Sequence, residues 1–111
     1  HGNARGVAQI YGSLLARGPG GPLAELTRIH SDGDDLVLGR PSRYGLGFQI
    51  SQPTRPFGPN PGSFGHWGYG GSLGFADPVA QVAFGYLMNR PGERWQTART
   101  QALSEALYGC L

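Results

Sequence analysis

Apolar residues recur at helical spacing near both ends of the chain. Residues 4–17 carry such a stripe, and Asn3 is a suitable N-cap for a helix that starts after it. The stripe comprises Val7, Ile10, Tyr11, Leu14 and Leu15. The glycines and prolines of residues 18–22 end this helix, and residues 23–29 predict a short second one. Residues 95–107 predict a last helix, with an inner side made of Trp95, Ala98, Ala102, Leu103, Ala106 and Leu107.

Between the helices, the apolar pattern favours β-structure. Four segments predict strands, namely residues 44–50, 64–67, 72–76 and 81–88. Residues 44–50 place apolar side chains on one face and glycines on the other. Residues 81–88 are apolar on both faces, which predicts a central strand covered on both sides. Asp77-Pro78 predicts the turn between the last two strands, and residues 31–35 and 52–62 predict loops.

The order helix, strand, hairpin, helix predicts an α+β fold in which helices pack on an antiparallel sheet. A chain of 111 residues is ordinarily one domain. Strands that are apolar on both faces need more covering than two helices give. We therefore expect residues 1–111 to pack against another part of a larger domain.

Composition and charge narrow the function classes. The chain is 39% apolar and 14% charged, which excludes a disordered tail, and no apolar run approaches the roughly 20 residues of a membrane span. Its basic residues are all arginines, scattered from Arg5 to Arg99, whereas a nucleic-acid surface clusters them. No signal peptide is evident, which slightly favours the cytoplasm, although a chain that starts at His1 without Met is expected to lack its native start.

Several other candidate sites are weak. The single cysteine, Cys110, allows no intramolecular disulfide, and the three histidines are too dispersed for a zinc site. The acidic run Asp32, Asp34 and Asp35 lacks the spacing of a calcium loop and predicts a solvated segment. The sequence thus implies no metal and no cofactor.

One segment carries a family resemblance. The run Phe64-Gly65-His66-Trp67-Gly68-Tyr69-Gly70-Gly71-Ser72 and its continuation to Arg90 resemble the region around the third signature motif of serine β-lactamases and penicillin-binding proteins. That motif is Lys-Thr-Gly or a close variant, and its first residue is often His or Trp in the branch that includes the family VIII carboxylesterases. The resemblance is specific over residues 64–90 and looser elsewhere. It implies that the chain is the C-terminal segment of an α/β/α sandwich with an antiparallel sheet.

The resemblance also implies roles for individual residues. His66 would be a polar group of the pocket, Gly68 would let substrate approach the strand, and the backbone N–H of Tyr69 would be one of two oxyanion donors. Trp67 and Gly70 are candidate substrate-binding residues. Two alternatives stay open, because His66 could be an ordinary surface or core histidine, and Trp67 and Tyr69 could simply be core aromatics.

The departures from the family pattern are informative. The nucleophile of this superfamily lies in Ser-x-x-Lys and its second motif is Tyr-x-Asn or Ser-x-Asn, whereas this sequence contains no lysine and neither of those second motifs. Ser72 in Gly70-Gly71-Ser72-Leu73-Gly74 fits the nucleophile elbow of α/β-hydrolases, but the segment after it predicts strand and turn rather than the required helix.

We therefore expect an N-terminal partner segment to supply the nucleophile, and this chain alone to be inactive. The expected substrate is a small ester or amide, and His in place of Lys favours a carboxylesterase. The alternatives are a β-lactamase or D-aminopeptidase-type amide hydrolase, and a non-catalytic binding or structural module built on the same fold.

Overall fold

The computed structural model describes residues 1–93 and 95–111. Its helices are α1 (Ala4–Leu15), α2 (Pro22–Thr27) and α3 (Ala98–Gly109). Its strands are β1 (Ser31–Asp35), β2 (Arg40–Tyr44), β3 (Gln49–Ile50), β4 (Phe64–Trp67), β5 (Leu73–Asp77) and β6 (Val82–Tyr86). No helix among the described residues is long and apolar enough to cross a bilayer.

The six strands form one antiparallel sheet in the order β1-β2-β3-β4-β5-β6, so each strand pairs with its neighbours in sequence. This architecture confirms the predicted α+β fold. Helix α1 lies on one face, where Val7 and Tyr11 pack onto Gly74 of β5. Helix α3 lies on the other, where the rings of Phe75 and Tyr108 are 6.4 Å apart between centroids.

The alternation of side chains along β4 and β5 divides the core into two clusters. The α1 face holds the cluster of Tyr11, Leu15, Leu23, Ile50, Phe64 and Ala76. The α3 face holds the cluster of Phe57, Trp67, Leu73 and Phe75. Neighbouring residues of β4 therefore serve different clusters.

Both long helices begin at an N-cap. Asn3 Oδ1 accepts a hydrogen bond of 2.8 Å from the Gly6 amide, which confirms the predicted start of α1. Helix α3 starts at Thr97, whose hydroxyl accepts from the Thr100 amide at 3.3 Å while Thr100 Oγ1 accepts from the Thr97 amide at 3.0 Å. Such reciprocal bonds satisfy amides that a helix end would otherwise leave without partners.

The predicted inner side of the last helix is wrong at four of its six residues, whereas Trp95 and Leu107 pack against the cluster on the α3 face. Ala98, Ala102, Leu103 and Ala106 are exposed, and the buried helical residues are Thr100 and Ser104. The Ser104 hydroxyl donates to the Phe57 carbonyl at 2.5 Å, which fixes the rotation of the helix over the sheet. Two hydroxyl groups with hydrogen-bond partners thus face the sheet in place of an apolar stripe. In α1, Ile10 is likewise 63% exposed although the stripe placed it inside.

The first part of the sheet also differs from the prediction. Residues 31–35, predicted as a loop, form β1, and they pair with β2 in an exposed hairpin. Asp35 Oδ1 accepts the amides of Val37 and Leu38 and so holds the turn between these strands. The predicted strand of residues 44–50 is interrupted by a turn, because Gly47 adopts φ +86° and the Gly45 amide donates to the Phe48 carbonyl at 2.9 Å.

Strand β6 is shorter than predicted and lies at the end of the sheet order. Its residues are half-buried along their whole length rather than covered on both sides. Among the described residues, β5 is its one strand partner, so the prediction of a central strand is wrong within this chain. The turn at Asp77-Pro78 that precedes it is confirmed, since Asp77 Oδ1 accepts the amides of Val79 and Ala80.

Candidate active site

At its C-terminal end, β4 has an open edge on the side of β3. Strand β3 pairs with β4 at two positions, Gln49 with Gly65 and Ile50 with Phe64. The turn at Gly47 then takes the chain away, so no strand of the described residues continues the pairing beside His66 and Trp67.

Two side chains take the place of a strand partner at this open edge. The Trp67 amide donates to Gln49 Oε1 at 3.4 Å, and Gln49 Nε2 in turn donates to the Tyr44 hydroxyl at 2.8 Å. On the carbonyl side, His66 Nδ1 lies 2.8 Å from the Trp67 oxygen. The open edge therefore has its backbone groups satisfied by side chains, which a ligand can displace more readily than a strand.

A glycine-rich turn connects β4 to β5. The Gly68 amide donates to the Ser72 carbonyl at 2.8 Å, and the Gly71 amide donates to the Gly68 carbonyl at 3.1 Å. Gly70 and Gly71 adopt φ +85° and +100°, a conformation that side chains other than glycine rarely tolerate. The Tyr69 ring is 73% exposed, and no described residue accepts a hydrogen bond from the Tyr69 amide.

A cavity of about 240 Å³ adjoins the motif on the α1 face. It is lined by Val7, Tyr11, His66, Gly68, Ser72, Leu73, Gly74 and Leu87. Burial raises the pKa of the Tyr11 hydroxyl to about 12, so that group stays protonated. The cavity thus combines an apolar floor with an imidazole and two hydroxyl groups.

Trp67 occupies a different environment from His66. Its side chain is 2% exposed and stacks on Phe57 with ring centroids 5.5 Å apart and an interplanar angle of 10°. It points to the α3 face, away from the cavity that His66 lines. This position agrees with the core interpretation of Trp67, and its role in substrate binding stays a prediction.

The other sequence candidates are placed as follows. Ser72 follows a strand and a tight turn and precedes β5, so the strand–serine–helix geometry of a nucleophile elbow is absent at this serine. Asp32 pairs with Arg43 at 3.0 Å rather than lying free in a loop, and Cys110 is an exposed C-cap of α3. Among residues 1–93 and 95–111, no three His, Cys, Asp or Glu side chains are grouped to hold a metal.

Sequence reasoning missed a group of hydrogen-bonded polar side chains around Asp77, at the end of β5. Asp77 is buried, and its Oδ2 accepts hydrogen bonds from Asn60 Nδ2 at 2.8 Å and from the Tyr108 hydroxyl at 2.6 Å. Burial by itself would raise the pKa of this carboxyl group, but the hydrogen bonds outweigh it and hold the pKa below its usual value. The Asp77 carboxylate therefore links the β5–β6 turn to α3 and to the proline-rich loop of residues 52–62, which carries Phe57.

The comparison with protein families decides the affiliation of the chain. The profile of the family described as Beta-lactamase matches residues 1–107. The chain belongs to the beta-lactamase family. None of the curated proteins matches it.

Three solved structures resemble this chain over almost its whole length. A family VIII carboxylesterase is 39% identical over 99% of this chain, with a TM-score of 0.88. A penicillin-binding protein homolog from Caulobacter crescentus is 33% identical over 98% of the chain, with a TM-score of 0.87. EstA from Arthrobacter nitroguajacolicus Rue61a is 31% identical over 96% of the chain, with a TM-score of 0.82. The chain spans about a third of the length of these structures, namely 32%, 32% and 31% of them in the same order.

Proposed function

We propose that this chain is the C-terminal part of a serine hydrolase of the carboxylesterase type, which works through an acyl-serine intermediate. The chain contributes the third motif, His66-Trp67-Gly68, and an oxyanion donor. The serine nucleophile with its lysine, and the Tyr-x-Asn motif, come from polypeptide outside these 111 residues. The observation that carries the proposal is the open edge of β4, which presents an unbonded amide at Tyr69 beside His66.

The direction of the backbone groups supports the role of the Tyr69 amide. The C=O of one residue and the N–H of the next point to opposite sides of a trans peptide bond. The Gly68 amide and carbonyl both bond on the β5 side, to the Ser72 carbonyl and the Gly71 amide. The Tyr69 amide is therefore directed away from these groups, towards the side where the Trp67 amide meets Gln49. A fixed amide in such a position stabilises the oxyanion of a tetrahedral intermediate.

The glycines support the approach of a substrate. A β-carbon on Gly68 would collide with the Ser72 hydroxyl, and one on Gly74 would lie 2.6 Å from Val7 Cγ1. Both positions therefore stay without side chains, which keeps the turn tight and the cavity next to His66 accessible. The cavity of about 240 Å³ is large enough for a short acyl or alcohol group.

The identity of the first motif residue favours esters over β-lactams. A lysine in this position would carry a fixed positive charge that pairs with the carboxylate of a penicillin. His66 provides no such fixed charge, and none of the salt bridges found among the described residues involves it. The carboxylesterase is also the structure with the highest identity of the three described above.

The decisive experiment removes the Tyr69 N–H alone. Tyr69→Pro deletes that amide hydrogen, and Tyr69→Ala removes the same side chain but keeps the hydrogen. Neither backbone hydrogen bond within the turn uses the Tyr69 amide, so the turn is not expected to lose a bond in either variant. In the active enzyme we expect Tyr69→Pro to lower kcat on p-nitrophenyl butyrate by roughly 10²–10³-fold, and Tyr69→Ala to stay close to wild type.

Further measurements separate the alternatives. A fluorophosphonate probe should label a serine outside residues 1–111, and intact-mass analysis of the active preparation should detect the polypeptide that carries it. Faster turnover of a cephalosporin than of the ester would instead favour the amide hydrolase. A complete protein that neither labels nor turns over either substrate would indicate the non-catalytic module. Sustained ester turnover by these 111 residues alone would contradict the proposal and favour Ser72 as the nucleophile.

A further inference from the structure

The hydrogen bond of His66 fixes which of its two ring nitrogens carries hydrogen. His66 Nδ1 lies 2.8 Å from the Trp67 carbonyl oxygen. A carbonyl oxygen can only accept, so Nδ1 must be the donor. A neutral imidazole has one N–H and one lone pair, and its other nitrogen, Nε2, is then an acceptor.

The position of Trp67 on the open edge explains why this bond forms. Its carbonyl lies on the edge where β3 has ended, so no strand of the described residues offers it an N–H. The adjacent imidazole supplies a donor in place of a strand amide. The bond thus follows from the same opening that makes the edge accessible to substrate.

The remaining nitrogen, Nε2, has no hydrogen-bond or salt-bridge partner among the described residues. His66 is exposed and lines the cavity of about 240 Å³. Its nearest aromatic neighbour is the Tyr44 ring, with centroids 6.4 Å apart, and no described carboxylate lies within salt-bridge distance of it. His30 provides the contrast, because its Nε2 lies 3.3 Å from Glu25 Oε1.

We propose that His66 binds substrate as a hydrogen-bond acceptor through Nε2, and so selects esters that carry an N–H or O–H donor on the acyl chain. This inference rests on the proposed function, and it specifies the role expected from the sequence, in which His66 is a polar group of the pocket. A free carboxylate at the same place would set its lone pairs against that of Nε2 and bind less well. The favoured substrate class is therefore an ester with an amide or hydroxyl group on its acyl chain.

Nitrogen-15 NMR of the histidine side chains tests the tautomer directly. At alkaline pH, where an imidazole is neutral, we expect His66 to be held with hydrogen on Nδ1, and His30 serves as the internal reference. A His66 with hydrogen on Nε2, or one that averages both tautomers, would overturn the inference. Because this measurement needs no turnover, it stands apart from any failure of the proposed function.

A matched set of substrates tests the selection. The set comprises p-nitrophenyl glutarates whose far end is a primary amide, a methyl ester or a free carboxylate. We expect kcat/KM to be about three- to tenfold higher for the amide than for the carboxylate, the range of one exposed hydrogen bond. His66→Lys should reverse this order, because lysine donates and attracts the carboxylate, whereas His30→Gln should preserve it.

The outcomes separate the two proposals. Equal rates on all three esters, together with a large loss in Tyr69→Pro, would overturn the acceptor role and leave the carboxylesterase assignment intact. An unchanged order in His66→Lys would likewise overturn the acceptor role. Absence of ester turnover with all three substrates would count against the proposed function, and the NMR result would then decide the tautomer by itself.

Discussion

Successive residues of β4 face two environments that differ in almost every respect. On the α3 side, Trp67 is 2% exposed and stacks on Phe57, which in turn stacks on the fully buried Phe75. On the α1 side, His66 is exposed and adjoins a cavity partly lined by glycines. The two side chains are adjacent in sequence, yet one is buried in an aromatic cluster and the other is exposed.

This difference shows how the fold separates stability from chemistry. The aromatic layer packs on the face of β4 opposite His66, so most of the support of this strand comes from groups that would not meet a substrate. On the α1 side, an exposed position such as that of His66 can then be polar, because it is not needed for packing. Binding and catalytic sites require this arrangement, in which packed residues hold the accessible functional residues in position.

The largest expected effect comes from removing the packed side. Trp67→Ala deletes an indole that is stacked on Phe57, and we expect a loss of about 3–5 kcal/mol in the free energy of unfolding. His66→Ala, one residue away, removes an exposed ring and should change this free energy by no more than about 0.5 kcal/mol. Urea unfolding followed by far-UV circular dichroism measures both. Equal losses in the two variants would contradict the division between the faces.

A smaller effect is expected where α1 meets the sheet. A β-carbon on Gly74 would lie 2.6 Å from Val7 Cγ1 and 2.7 Å from Tyr11 Cε2, so Gly74→Ala must push α1 outward. We expect a loss of about 1–3 kcal/mol in the same urea measurement. Gly62→Ala is the matched control, because a β-carbon there has no neighbour within 4 Å. A Gly74→Ala protein as stable as that control would mean that α1 yields without cost.

The sequence predicts much of the region around β4 and less of the rest, and the reasons are physical. Residues 64–67 form the predicted strand with the predicted bounds, and the glycine-rich turn that follows ends it. The β1–β2 hairpin was missed because its first strand, Ser31–Asp35, is polar and exposed, and pairing rather than burial defines it. The wrong inner face of α3 has a related cause, since Thr100 and Ser104 are buried through specific hydrogen bonds that hydrophobic spacing does not encode.

The candidate site divides in the same way. The motif residues could be found from their order in the chain, because the glycines and the histidine are contiguous. Gln49 and Asp77 could not, since their roles depend on partners far away in sequence, at Trp67 and at Tyr108. The tautomer proposed for His66 could not be predicted from the sequence either, because it depends on where β3 ends.

The smallest expected effect concerns the carboxylate that braces the packed side. The pKa of Asp77 is lowered in the folded state, because hydrogen bonds from Tyr108, Asn60 and two backbone amides outweigh the effect of burial. Its stabilisation is therefore fully present above the pKa of an unfolded aspartate, about 3.9, and is lost as the pH falls through the lower folded value. We expect the difference in unfolding free energy between wild type and Asp77→Asn, on the order of 1 kcal/mol at neutral pH, to shrink as the pH is lowered below about 4.

Asp34→Asn, at an exposed position of β1, is the matched control and should follow wild type. If the Asp77→Asn difference stayed constant from neutral to acid pH, the carboxylate charge would have no part in holding α3 and the proline-rich loop behind β4, and the support of the packed side would have to come from its aromatic contacts alone.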